Sequence, residues 1–145
     1  MLDRTLIGRS SEPVIHDVEK GSIRNFADAI GDPNPLYQDE EVARAAGYPG
    51  LVAPPTYPAV LAANDRFRHS LDLGTRSLLL GEQQFEYARP LVAGDRITVR
   101  SRVADIQERA GTGGPMDVIV IEDEGRDPEG VLVFRSRETL ILRRS

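Results

Sequence analysis

Few side chains in this sequence can do acid–base or nucleophilic chemistry near neutral pH. Its 145 residues include two histidines, His16 and His69, and no cysteine. The lack of cysteine removes disulfides, thiolate nucleophiles and cysteine-based zinc sites together. No spacing of ligand residues suits a metal ion and no glycine-rich loop suits a phosphate, so no metal and no cofactor are expected. His16 falls in an expected strand and His69 near the end of an expected helix, and both read as ordinary residues of those elements. What remains is Asp32 and Asn34 in the run Gly31-Asp32-Pro33-Asn34-Pro35. Taken alone that run is a turn, because two prolines remove donors and fix φ. An Asp there braces a loop by serving local backbone donors.

The elements around this turn decide what it faces. Pro13–Val18 reads as a short strand. Ile23, Phe26, Ala27 and Ile30 fall at i, i+3, i+4 and i+7, the mark of an amphipathic helix, with Ser22 as its N-cap and Gly31 as its stop. Asp39–Ala46 reads as a short helix ended by Gly47. Pro54-Pro55-Thr56 then opens the longest helical candidate, Tyr57–Leu71, with Gly74 after it. Tyr57, Val60, Leu61, Asn64, Phe67 and Leu71 share one mostly apolar side of it. Beyond Gly74 the pattern is all strand. Ser77–Tyr87 comes first. Ile97, Val99, Ser101 and Val103 alternate with Thr98, Arg100 and Arg102, as in a half-buried strand. Met116–Ile121 is continuously apolar, as in a strand covered on both faces. Gly125–Gly130 reads as a hairpin loop, and Val131–Leu142 as the last strand. One long helix followed by four strands in a meander is an α+β arrangement. Periodicity alone leaves several α+β folds open.

The length suits a single domain over residues 1–145, with a core that needs no disulfide or metal. Hydrophobic residues make up 40% and charged residues 28%, which places the chain among globular proteins rather than disordered ones. No apolar run approaches the ~20 residues of a membrane span and no secretory start is present, so a cytoplasmic location without a membrane partner is expected. A net charge of -5 argues against nucleic acid as a partner. Of 18 basic residues only Lys20 is a lysine, a bias that reads as genome composition rather than as phosphate binding.

Three segments taken together are more specific. They are Phe26-Ala27-Asp28-Ala29-Ile30-Gly31-Asp32-Pro33-Asn34-Pro35-Leu36-Tyr37, then Tyr48-Pro49-Gly50-Leu51-Val52-Ala53-Pro54-Pro55-Thr56-Tyr57, then Phe85-Glu86-Tyr87-Ala88-Arg89-Pro90-Leu91-Val92-Ala93-Gly94-Asp95-Arg96-Ile97. In this order they resemble the MaoC-like family of (R)-specific enoyl hydratases and (3R)-hydroxyacyl-thioester dehydratases. More narrowly they resemble its N-terminal-type branch, which includes non-catalytic subunits. The resemblance spans nearly the whole chain. It implies a hot-dog fold, in which a curved antiparallel sheet wraps one long central helix.

The resemblance also implies a site. Active members read Gly-Asp-x-Asn-Pro-Leu-His, where Asp and His hold the water that adds to or leaves the acyl double bond. A carboxylate positions and polarises that water while an imidazole trades protons near neutrality. Asp32, Asn34, Pro35 and Leu36 match, but Tyr37 stands in the His position. A phenol, with a pKa near ~10, is a poor base at pH 7. Active members also carry His-Gly in the second segment, and the Gly N–H meets the charge that builds on the thioester oxygen. Here the pair is Ala53-Pro54, and proline has no N–H. The family expectation is therefore a non-catalytic or weakly catalytic subunit that handles an acyl-CoA or acyl-carrier-protein thioester and shapes its tunnel. Pro55, Thr56 and Tyr57 would line the acyl entrance. The partner would be a second copy or a catalytic MaoC-like subunit. A self-sufficient hydratase with a non-standard motif and a stand-alone acyl or small-molecule carrier are the other readings, with a hot-dog thioesterase behind them because nothing resembles its nucleophile-activating pattern.

Overall fold

The computed structural model describes residues 2–61, 65–73 and 77–144. Five antiparallel strands form one sheet: β1 (Val14–Asp17), β2 (Leu78–Tyr87), β3 (Arg96–Gly111), β4 (Gly114–Arg126) and β5 (Leu132–Arg143). Their order across the sheet is β1-β3-β4-β5-β2. Strands β3, β4 and β5 form the expected meander, but β2 does not join it in sequence. It pairs with β5 at the far edge from β1. The chain therefore crosses the end of the sheet between β2 and β3. That crossing is stitched down by Ala53 N–H donating to the Leu91 carbonyl at 2.9 Å and Val18 N–H to the Asp95 carbonyl at 2.8 Å. Local periodicity finds strands but not their neighbours, so this correction was out of its reach.

Helix α1 spans Lys20–Ile30, starting two residues before the expected Ser22 cap. Strand β1 is held at its end by the Val18–Asp95 bond and by Gly94 N–H donating to Val18 O at 2.8 Å, so the chain turns into the helix at Glu19. Gly31 stops it as expected: with φ 69° it takes the left-handed conformation, and its N–H returns to Ala27 and Asp28. Helix α2 is Glu40–Ala45, with Asp39 as N-cap accepting from Glu41 and Val42. The expected Tyr57–Leu71 helix is described as α3 (Pro58–Leu61) and α4 (Asp65–Ser70). Residues 62–64, including Asn64 of the expected apolar side, and Gly74 lie outside the described residues. Asp72, at φ 47°, turns the chain after α4. Two residues of the expected apolar sides prove open to solvent: Ile30 at the end of α1 is 48% exposed and Val60 52%.

The helical segment packs along one face of the sheet, and the core lies between them in two clusters. Tyr57 and Leu61 meet Ile97, Val99, Val133 and Phe134. Phe67 and Leu71 meet Val103, Ile106, Ile119, Ile121, Leu140 and Leu142. This is the α+β hot-dog arrangement. Met116–Ile121 is the centre of a longer strand and is buried from Asp117 to Ile121, as its unbroken apolar pattern suggested. The strand continues to Arg126 rather than giving way to a loop at Gly125. Its acidic end stays paired because Glu124 takes both Arg126 and Arg135 at 3.1 and 3.0 Å. The turn proper is 127–130, closed by the Asp127 carboxylate on the N–H groups of Glu129 and Val131.

Gly125 has a packing reason. A Cβ there would overlap the ring of Phe134, which is fully buried. Gly125→Ala is expected to cost about 1–3 kcal/mol, the range for overpacking a filled core. Urea unfolding of the two chains, with midpoints compared at equal slope, measures it.

Candidate functional site

The three segments that carry the family resemblance meet in space. Gly31 ends α1 and delivers Asp32 into a loop whose first bond is internal: Asp32 Oδ1 accepts from Asn34 N–H at 3.1 Å. Asn34 Oδ1 in turn accepts from Leu36 N–H at 3.0 Å and caps a single 3-10 turn, Pro35–Tyr37. Leu36 O accepts from Val52 N–H at 3.0 Å, joining this loop to the second segment. Val52 bridges to Val92 in the third segment. Arg89 clamps the crossing loop through both Asp95 oxygens, at 2.8 and 3.1 Å.

Tyr37 is buried in the core cluster with Leu51, Val52, Ala53 and Leu91. Burial, with the charge of Asp32 adding to it, pushes its phenol above the ordinary value. Tyr37 therefore keeps its proton across the physiological range. Asp32 and Asn34 are half-buried beside it, and Pro54 is buried. The N–H groups of Val52 and Ala53 are spent on Leu36 O and Leu91 O, while Pro54 and Pro55 have none. From residue 52 to 55 the loop thus offers no free donor to a developing oxyanion.

Pro55 and Thr56 are exposed, and the Pro55 carbonyl accepts the Tyr87 hydroxyl. Burial raises the Tyr87 phenol as well. Tyr57 turns the other way. It is 2% exposed, stacks edge-on against Phe26 with ring centres 5.5 Å apart, and lies beside Ser22. It lines a cleft of about 520 Å³ together with His16, Asn25 and Leu61, on the β1 side of the molecule. The structure therefore joins the loop of Asp32, Asn34 and Tyr37 to the segment that leads into Pro54, leaves Pro55 and Thr56 exposed, and points Tyr57 into a separate cleft. His16 lies in β1, where burial lowers its imidazole, and His69 is exposed in the last turn of α4. Among the described residues, no group of three or more His, Asp or Glu is placed to hold a metal ion, and no helix is long and apolar enough to cross a membrane.

One polar group escaped the sequence reading. Ser101, Asp123, Ser136 and Glu138 are all buried on the core face of the sheet. The signal was present: Asp123 continues the alternation of Ile119 and Ile121, which puts it on their face.

A curved antiparallel sheet packed against a helical segment, with the three motif segments joined at its end, defines a class: a hot-dog domain of dehydratase type. Residues 5–136 match the family described as the FAS1-like dehydratase domain region. A UPF0336 protein of Thermobifida fusca is 37% identical over 98% of this chain and 94% of its own length. Among solved structures, a chain of the C-terminally truncated HadBC (3R-hydroxyacyl-ACP dehydratase) complex of Mycobacterium tuberculosis superposes with TM-score 0.81 at 29% identity, covering 94% of this chain and 96% of that one. A MaoC-like dehydratase superposes with TM-score 0.84 at 28% identity, covering 94% of this chain and 42% of its own. The chain belongs to the FAS1-like dehydratase-region family.

Proposed function

We propose that this chain is the non-catalytic or weakly catalytic subunit of a (3R)-hydroxyacyl-thioester dehydratase in the cytoplasm, paired with a hot-dog relative that carries the intact motif. The observation that carries this reading is the loop from residue 52 to 55, where two N–H groups are spent on backbone partners and two residues are proline. Charge on a thioester oxygen needs a preorganised donor, and this loop gives none. The likeness to a chain of the HadBC complex supports a paired assembly. In this role Asp32 and Asn34 shape the loop rather than act on water. Pro55 and Thr56, exposed at the start of the helical segment, border the acyl path, whereas Tyr57 faces the separate cleft. The substrate is a CoA or carrier-protein thioester bound across the pair.

Co-expression tests this. Paired with a MaoC-like chain that carries Asp-x-Asn-Pro-Leu-His and His-Gly, the complex is expected to hydrate a trans-2-enoyl thioester, and replacing that relative's His should abolish turnover. Turnover that survives that replacement but is lost with Asp32→Ala in this chain would reverse the assignment.

A further inference from the structure

Across the core face of the sheet runs a belt of polar side chains between two apolar clusters. Ser101, Asp123 and Ser136 are direct neighbours on β3, β4 and β5. On one side of this row are Val99, Gly125 and Phe134, and on the other Val103, Ile121 and Glu138. The Ser101 hydroxyl donates to Asp123 Oδ1, and Ser136 Oγ lies 3.4 Å from Oδ2. Glu138, 7% exposed, is paired with Arg68, which reaches down from α4. The belt thus holds two carboxyl groups, 3% and 7% exposed, against one guanidinium. Among the described residues, β2 brings no further charge to it, placing Gln83 opposite Glu138 and Phe85 opposite Ser136. On α4 itself Arg66 and His69 are exposed.

Two buried carboxylates sharing one cation leave an unbalanced negative charge in a poorly solvated place, and a proton on one of them removes it. Glu138 already has the guanidinium, so Asp123, held by two hydroxyls, is the natural proton carrier. We propose that Asp123 and Glu138, facing Arg68, form a proton-dependent latch that seats α4 on the sheet. With Asp123 protonated the belt is neutral, Arg68 belongs to Glu138 and the helical segment is closed over the core. With Asp123 ionised the two carboxylates repel, Arg68 is drawn between them and α4 loosens.

The sign of the pH dependence follows. Burial, ahead of the charge of Glu138 and against the hydroxyl hydrogen bonds and Arg68, pushes the Asp123 carboxyl up to about 6 from an ordinary 3.8. The folded state therefore holds this proton more tightly than the unfolded chain. The contribution to stability is full below the ordinary value and is lost as pH rises through about 6. Most carboxylates give the opposite slope, so the effect is separable.

The test is a pair of melts of the full chain at pH 5 and pH 8, with Asp123→Asn beside the wild type. The wild type is expected to lose about 4–5 °C more than the variant between the two pH values. Equal losses overturn the latch. If Asp123→Asn does not fold, carboxyl carbon-13 titration of Asp123 in the wild type reads the same proton. An inflection near pH 6 supports the proposal, and one near ~4 overturns it. Amide exchange reports the seating itself. After correction for intrinsic rates, protection of Phe67–Leu71 should fall from pH 5 to pH 8 relative to β4. Protection that stays constant overturns the latch even if Asp123 titrates near pH 6.

Discussion

Assayed alone, the chain is expected to hydrate a trans-2-enoyl thioester at less than about a hundredth of a typical enzyme's ~10 per second. On the proposed function, two separate needs of the reaction go unmet. The first is proton transfer. By the resemblance Tyr37 takes the place of the motif's His, and burial together with Asp32 raises its phenol further, so it offers no base at neutral pH. Positioned acid–base groups are worth roughly 100- to 10,000-fold. The second is charge stabilisation. Pro54 has no N–H, and the preceding donors of Val52 and Ala53 are bound to Leu36 O and Leu91 O. One oxyanion donor is worth roughly 100- to 1,000-fold. Such factors do not multiply when groups act as a unit, so the expectation is a large deficit rather than a product.

Repairing one fault should recover little. Tyr37→His leaves Pro54 without its hydrogen, and Pro54→Gly leaves the water without its base. The double variant Tyr37→His with Pro54→Gly is the informative one, with Asp32→Ala added as its control. Turnover by the unmodified chain at tens per second, abolished by Asp32→Ala, would instead make Tyr37 a catalytic residue.

Much of this fold was legible locally. Gly31 and Asp39 act at the ends of α1 and α2 as their residue types require, one as a left-handed stop and one as a side-chain cap. The alternation through Val103 marked the core face of β3 correctly. What failed depends on partners far away in sequence. The place of β2 beside β5 is set by the crossing loop's bonds to residues 18 and 51–53, and no window of residues records them. The apolar pattern that marked β4 stops at Ile121 because the polarity of the acidic residues after it is answered largely across the sheet, by Arg135 for Glu124 and by Ser101 for Asp123. The same holds at the site. Asp32, Asn34 and Tyr37 could be found in one short run, while the direction of Tyr57 depends on Ser22 and Phe26 of another helix.

The sheet's two edges differ, and the difference leads to the second large effect. Along β3 the outer side is covered: β1 takes Arg96–Val99, and residues 8–11 continue the cover through Ser11 N–H on Ser101 O and Gly8 N–H on Val103 O, both 2.8 Å. Strand β2 has β5 on one side only, over ten residues. Leu78 and Leu80 lie opposite Leu142 and Leu140, which are core residues, yet they are 43% and 57% exposed. Apolar side chains on the core face of an unpaired edge are what proteins ordinarily cover or charge. Here the strand's charges, Glu82 and Glu86, lie beyond these leucines, and none of the ten residues is lysine or arginine. A second hot-dog chain, identical or the catalytic relative, adding its own edge to β2 would continue the sheet and cover these leucines. Fully burying a leucine is worth about 1.5–3 kcal/mol and about half of each is still to be buried, so losing the pair weakens association by roughly 10- to 100-fold, before the cost of placing two lysine charges at the edge. Leu78→Lys with Leu80→Lys is therefore expected to sediment as a monomer at micromolar concentration, where the unmodified chain, alone or with its relative, sediments as a dimer. The substitutions sit at exposed positions, so the far-ultraviolet circular dichroism should not change. A wild type that stays monomeric with and without the relative, or a double variant that dimerises as tightly as the wild type, would remove β2 as the interface.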